Sequence, residues 1–238
     1  DEVYGILPTV DNDSIRVRCI VNGQREFAVC WFTQVHHRPR CVVRIQVLWD
    51  IGANIGVFSL YAALEKKNKV LSLEPSAESY ATLNANIRLN GLDEYIQALC
   101  FAGGRTTNLL NLFMKDTSAG ASHNSIGSSS NQFGEFDVNG FQSVVAIKLD
   151  DLSQIEGVPS PNHIKLDVDG KELEILEGAS SILSEVDSIL VEMEGINLDE
   201  NLEKIESIIS MAGLEEELSW RNKGSGRNRL YLRKYSNE

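Results

Sequence analysis

Hydrophobic positions along the chain fall into two alternating rhythms. Short apolar runs of strand length occur at 47–51, 70–73 and 95–101, and again at 109–114, 144–149, 163–168 and 188–193. Between several of them, apolar residues recur at helical spacing. Val57, Leu60, Tyr61 and Leu64 mark one helix, read as Asn54 to Glu65. Ser76 reads as an N-cap with Glu78 in the first turn, opening a helix that reaches about Asn90 and stops at Gly91. Leu173, Ile175, Leu176, Ala179, Ile182 and Leu183 predict a helix from Lys171 to about Ser184. Leu202, Ile205, Ile208 and Ile209 predict another, ending before Gly213, and two strands near Leu214–Trp220 and Leu230–Arg233 close the chain. Strands alternating with helices imply a doubly wound α/β fold whose sheet is mostly parallel, with an antiparallel C-terminal edge.

Two segments depart from this rhythm. In residues 1–45, Ile15, Val17, Cys19 and Val21 alternate with polar residues, Asn22-Gly23 reads as a hairpin turn, and Phe27 to Phe32 as the partner strand. This part is expected to be a β-rich arm preceding one domain over 46–238. Residues 116–140 are rich in Ser, Gly and Asn, so a functional lid and a disordered loop are both open readings.

Composition narrows the function classes. At 238 residues and 42% hydrophobic the chain can bury a full core. A formal net charge of −12 argues against nucleic-acid or anionic-membrane partners, although residues 1–48 hold six Arg against five acids. The four cysteines show no metal spacing and read as free thiols. No apolar run is long enough to span a membrane and none reads as a signal peptide, so a cytoplasmic protein is the expectation. The chain opens on Asp1, not Met, which leaves room for an upstream piece.

The candidate chemistry sits at two strand ends. Asp50-Ile51-Gly52-Ala53-Asn54-Ile55-Gly56 is a strand breaking into a glycine turn and then a helix, and Val70 to Glu74 is a strand ending in an acid. A dinucleotide fold wants a glycine at position 54, where this chain has Asn54, so no pyrophosphate cradle is spelled out. An acid two residues before Gly52 suits a cationic ligand. S-adenosylmethionine fits, with Asp50 toward its ammonium group, Gly52 and Gly56 allowing close approach, and Glu74 accepting the ribose hydroxyls. The segment 98–104, with Ala102, is expected to pass the adenine.

These blocks resemble the FkbM-type S-adenosylmethionine-dependent methyltransferases. The likeness rests on Asp50 to Gly56, Leu73-Glu74-Pro75-Ser76, Leu83-Asn84-Ala85-Asn86-Ile87 with Asn90, and Leu149-Asp150-Asp151-Leu152. It rests most on Ile164-Lys165-Leu166-Asp167-Val168-Asp169-Gly170-Lys171-Glu172 and onward to Ala179, and it extends to Asn228 to Leu232. The resemblance implies a class I methyltransferase (Rossmann-like) fold and O-methylation, commonly of a sugar or secondary-metabolite hydroxyl. Asp169 and Lys171 stand where the family usually has Glu and a small residue.

The expected cofactor set is therefore Asp50, Gly52, Ala53, Asn54, Gly56, Glu74, Pro75 and Ala102. Asp167, at the next strand end, is the expected base for an acceptor hydroxyl, with Lys165 on the same face to tune it. A magnesium ion on Asp167 with Glu192 or Glu194 is a less favoured variant. His36, His37 and His123 read as surface residues and His163 as structural, although His123 could reach an acceptor. Two rival functions stand beside methyl transfer: a non-catalytic binding domain and a nicotinamide-dependent oxidoreductase.

Overall fold

The computed structural model describes residues 15–21, 24–30, 46–66, 68–221 and 227–234. Strands β1 (Ile15–Val21) and β2 (Gln24–Cys30) form an antiparallel pair lying beside the first two helices of the main domain. Asn22-Gly23, Trp31-Phe32 and His36-His37 lie outside the described residues.

The main sheet is built from β3 (Val47–Ile51), α1 (Val57–Lys66), β4 (Lys69–Leu73), α2 (Ala77–Leu89) and β5 (Ile96–Leu99) in succession. The chain then leaves for a second sheet before returning. That excursion comprises β6 (Ala102–Gly104), β7 (Asn108–Met114), β8 (Ser125–Ile126), β9 (Ser130–Asn131), β10 (Gly134–Glu135) and β11 (Gly140–Lys148). After the short α3 (Leu149–Leu152), β12 (His163–Leu166) re-enters the main sheet, followed by α4 (Glu172–Glu177), α5 (Ser180–Leu183) and β13 (Ser188–Glu192). Helices α6 (Ile196–Asp199) and α7 (Leu202–Met211) precede β14 (Leu214–Glu216) and β15 (Asn228–Arg233).

The seven strands run in the order β14-β15-β13-β12-β3-β4-β5, all parallel except β15. The C-terminal pair forms the expected antiparallel edge, with the last strand inserted between β13 and β14. Strand order reverses between β3 and β12. That reversal opens a crevice beyond their carboxyl ends, where doubly wound sheets bind ligands.

Alternation along β3 and β4 divides the core. Trp49, Ile51, Leu71 and Leu73 pack with α4, α5 and α7 on one face, while Val70 packs with Leu60, Leu83 and Ile87 on the other. β7 and β11 pair antiparallel in the separate sheet β6-β11-β7-β8, with β8 to β10 between them in the chain.

Four expected boundaries shift for local reasons. Helix α1 starts at Val57, because Asn54 is left-handed at φ 51 and Gly56 at φ 91. The strand expected over 95–101 is Ile96–Leu99, after which Ala102 changes sheet. The single helix expected over 171–184 breaks in two. A Cβ on Gly178 would lie 2.3 Å from the Gly104 carbonyl oxygen, and Asp150 Oδ1 accepts the N–H groups of Ser181 and Ile182, each at 3.0 Å, at the start of α5. The strand expected over 214–220 stops at Glu216, and Leu218–Trp220 is a 3-10 turn.

Candidate functional site at the strand carboxyl ends

The site is founded on a buried polar row. Lys165, Asp50 and Ser72 are cross-strand neighbours on β12, β3 and β4 and share one face of the sheet. Helix α1 lowers Ser59 onto that row, where its hydroxyl bonds Asp50 Oδ2 at 2.6 Å and Ser72 Oγ at 2.7 Å. Lys165 Nζ lies 3.4 Å from Asp50 Oδ1 and 3.0 Å from Asp167 Oδ2, with the Phe58 ring 5.5 Å away. Burial alone would lower the Lys165 pKa, but the charges of Asp50 and Asp167 outweigh it and raise it above the ordinary lysine value. Asp50 is fully buried, so its carboxylate is turned to Ser59 and Lys165 and not to open space. Asp167, with 38% of its side chain exposed, is the member of this chain that faces the crevice.

The glycine turn is held from three sides. Gly52 and Ala53 both donate to the Leu73 carbonyl, at 3.0 and 2.9 Å. A Cβ on Gly52 would lie 1.9 Å from the Asp167 carbonyl oxygen, so only glycine lets β3 and β12 close at this point. Asn86, fully buried on α2, donates from Nδ2 to the Ile55 carbonyl at 2.8 Å. Glu74 ends β4 only 7% exposed, its two carboxylate oxygens taking the N–H groups of Asn54 and Ser76 at 2.8 Å each. Burial is the main cause that pushes its pKa up to about 7, partly opposed by those two bonds. Each oxygen keeps a second lone pair for a ligand hydroxyl.

The adjoining segment is fixed as well. Gln142 clamps Pro75 and Ala77 through their backbone, and Cys100 Sγ lies 3.7 Å from the Pro75 carbonyl. Ala102 is buried, and Phe101 packs on the main core.

Across the crevice, Glu192 ends β13 beside Asp167. Its pKa is pushed up to about 8, by burial first and then by the charge and hydrogen bond of Asp167. At neutral pH Glu192 therefore keeps its proton beside the Asp167 carboxylate. Glu194 turns away to Arg227, 3.3 Å distant. Among the described residues no group of three or more His, Cys, Asp or Glu side chains is arranged to hold a metal ion. His163 Nδ1 meets Ser188 Oγ at 2.7 Å, a structural contact.

Residues 116–140 fold over these strand ends. Asn54 Nδ2 donates to the carbonyls of Gly120 and Ala121, both at 3.3 Å, and Gly120 N donates to Ser79 Oγ at 3.1 Å. Gln132 threads between two left-handed glycines. A Cβ on Gly170 would lie 2.7 Å from Gln132 N, and one on Gly195 would lie 2.1 Å from Gln132 O. The left-handed Asp169 accepts from His123 N at 2.6 Å and from Gln132 Nε2 at 3.2 Å. Glu172, fully buried, takes the N–H groups of Val168 and Gly170 and the amide of Asn197.

Ser59, Asn86, Glu172 and Gln132 carry this architecture; Asn86 and Glu172 stood in the sequence only inside blocks of family resemblance, with no role given, and Ser59 and Gln132 were not named. Glu172 had one local signal, an acid at the start of a helix just after a glycine, where it meets the free N–H groups of the preceding turn. No local pattern gave the partners of Ser59 and Asn86, because they lie on other elements of the sheet and the glycine turn.

A doubly wound sheet with a glycine turn on its first main strand and acids at the next strand ends defines an enzyme fold of the class I methyltransferase type. Residues 50–219 match the model of the FkbM methyltransferase domain, and the chain belongs to that family. It is 27% identical over 178 residues to the hexuronic acid methyltransferase AglP of Haloferax volcanii, a match covering 74% of this chain and 66% of that protein. Among solved structures it is similar to a precorrin-6y C5,15-methyltransferase from Geobacter metallireducens, with 16% identity, 72% and 64% of the two chains covered and a TM-score of 0.41. A human methyltransferase 10 domain containing protein gives 13%, 82% and 74%, and 0.45. Among the described residues no helix is long and apolar enough to cross a membrane.

Proposed function

We propose that the protein transfers a methyl group from S-adenosylmethionine to a hydroxyl of a sugar acceptor. The observation that carries this reading is Glu74: a buried carboxylate at the end of β4, fixed by two backbone N–H groups, with lone pairs left for a diol. Gly52, Ala53, Asn54 and Gly56 offer bare backbone next to it, while Pro75 and Ala102 lie where the adenosine end would pass. These residues fit the cofactor, with one adjustment. Asp50 is enclosed, so it acts on the ammonium end through Lys165 and Asp167 and not by direct contact. When bound, S-adenosylmethionine supplies an electrophilic methyl group on a good leaving sulfur. The sugar acceptor is supported by the name of the Haloferax volcanii relative.

The chain's own part in the reaction is alignment and proton removal. Lys165 pins Asp167 Oδ2, which fixes the carboxylate toward the crevice. Asp167 with Glu192 then takes the hydroxyl proton. Glu192 gives up its own proton as pH rises through about 8, which frees this carboxyl cluster to take another. Transfer is expected to rise about tenfold per pH unit below that point and level above it.

The test is calorimetric titration of the purified protein with S-adenosylhomocysteine, with Glu74→Ala as control. Micromolar binding lost in the variant is the expected result. A folded wild-type protein that binds none would overturn the reading in favour of a non-catalytic binding domain. A methyl-transfer assay with Asp167→Asn follows, where unchanged kcat and pH profile would remove Asp167 from the mechanism.

A further inference from the structure

A second hollow lies beside the glycine turn and outside the residues assigned to the cofactor. It has a volume of about 560 Å³ and is walled by Lys115, Thr117, Gly120, Ser122, His123 and Asn139. Gly120 and Ala121 line it, and Asn54 of the glycine turn holds both of their carbonyls. The volume exceeds that of one sugar ring, and the wall carries hydroxyl, amide, imidazole and ammonium groups without a large apolar face.

His123 is the best-fixed polar group in that wall. Its backbone is left-handed at φ 66. Asp169 accepts its N–H, and the other Asp169 oxygen lies 3.4 Å from Nδ1. Nδ1 is buried and makes no hydrogen bond within ordinary geometry, so its facing group is this carboxylate. Asn131 Nδ2 holds the His123 carbonyl at 2.8 Å, and the Phe133 ring meets the imidazole edge-on at 5.3 Å. Asp169 thus faces Nδ1, and Nε2 is the ring nitrogen left for a ligand. Such a nitrogen suits a sugar hydroxyl.

The charges around it are sorted. Asp116, in the same wall, turns one oxygen to the N–H of Ser118 at 2.8 Å, and bonds to Ser118 hold its carboxyl below the usual range. Lys115 makes no ion pair among the described residues, and its ammonium is the cation left for a ligand.

We propose that this hollow is the acceptor-binding site, that it takes a sugar ring bearing a carboxylate, and that His123, oriented by Asp169, accepts a ring hydroxyl while Lys115 meets the carboxylate. The proposal rests on the sugar-methyltransferase reading and adds the place and chemistry of acceptor recognition. His123 and Lys115 are specificity residues here, while proton removal stays with Asp167 and Glu192.

The experiment is saturation-transfer NMR of the full chain with methyl glucuronide and methyl glucoside as probes, together with the ¹⁵N shifts of His123 and Asn139. It is run first without and then with S-adenosylhomocysteine. His123→Asn tolerates the left-handed backbone and removes the imidazole, and Lys115→Ala removes the ammonium.

The glucuronide is expected to bind with or without S-adenosylhomocysteine and to move the His123 and Asn139 signals. The glucoside is expected to bind at least tenfold more weakly. Either substitution should weaken the glucuronide tenfold or more while leaving S-adenosylhomocysteine affinity unchanged. Equal glucuronide binding by both variants overturns the proposal. So does displacement of the sugar by S-adenosylhomocysteine, or failure of both sugars to bind the wild type. Failure of S-adenosylhomocysteine alone, with sugar binding intact, removes the cofactor reading and leaves the hollow a sugar site.

Discussion

Glu74 allows the electrostatics of the crevice to be tested without an acceptor. Burial pushes its pKa up to about 7, from 4.5 in the unfolded chain. As pH rises from 4.5 to about 7, the unfolded chain gives up this proton first and the native protein holds it. Native stability therefore falls across that window and levels above it. The full step corresponds to about 3 kcal/mol, most of which falls between pH 5 and pH 8.

Glu74→Gln removes the titration but keeps the shape. It also replaces one of two acceptors with an NH₂ group facing Asn54 N or Ser76 N, a pH-independent cost of about 1–3 kcal/mol. The variant should thus be the less stable protein at pH 5 and equal to or ahead of wild type at pH 8. Urea unfolding of both proteins at pH 5, 6, 7 and 8 reads the difference directly. A difference that moves by about 2–3 kcal/mol is the expected result. One that stays constant would show that Glu74 is not strained by burial. If the carboxylate is what receives the ribose, wild-type affinity for S-adenosylhomocysteine should also fall as pH drops below about 7, by up to tenfold per unit.

Two further substitutions probe the frame. Lys165→Met leaves Asp50, fully buried, with Ser59 as its remaining partner, and should cost about 3–5 kcal/mol in urea unfolding; a loss under about 1 kcal/mol would mean that the ion pair is not what keeps Asp50 in the core. Gly195→Ala places a methyl 2.1 Å from the Gln132 carbonyl and should expose 116–140 to protease while the main sheet stays folded; an unchanged cleavage pattern would show that Gln132 does not anchor that segment.

The main sheet was legible because its central strands are buried on both faces and appear as short, mostly apolar runs, as β3 and β4 do around Asp50 and Ser72. What sequence periodicity could not deliver is whatever depends on strand order. Asp50, read alone, is an acid before a glycine turn and looks ligand-facing. Only the adjacency of β12 and β4 shows that Lys165 and Ser72 flank it and that Ser59 covers it. The break at Gly178 depends on the approach of Gly104, some seventy residues earlier, which no hydrophobic pattern records.

Residues 116–140 show the same limit in its strongest form. Their composition reads as lid or disorder, yet they are tied down by Asn54, Ser79, Asp169 and Gly195, each contributed by a different part of the main domain. Order of this kind comes from polar contacts to distant backbone, with little apolar burial to advertise it. It is also readily reversed, because a few hydrogen bonds near a ligand site can be exchanged for bonds to the ligand at little net cost. The segment least legible in the sequence is thus the one whose position is most sensitive to what occupies the crevice. His123 lies within it, so the proposed acceptor site would be joined to the glycine turn through Asn54.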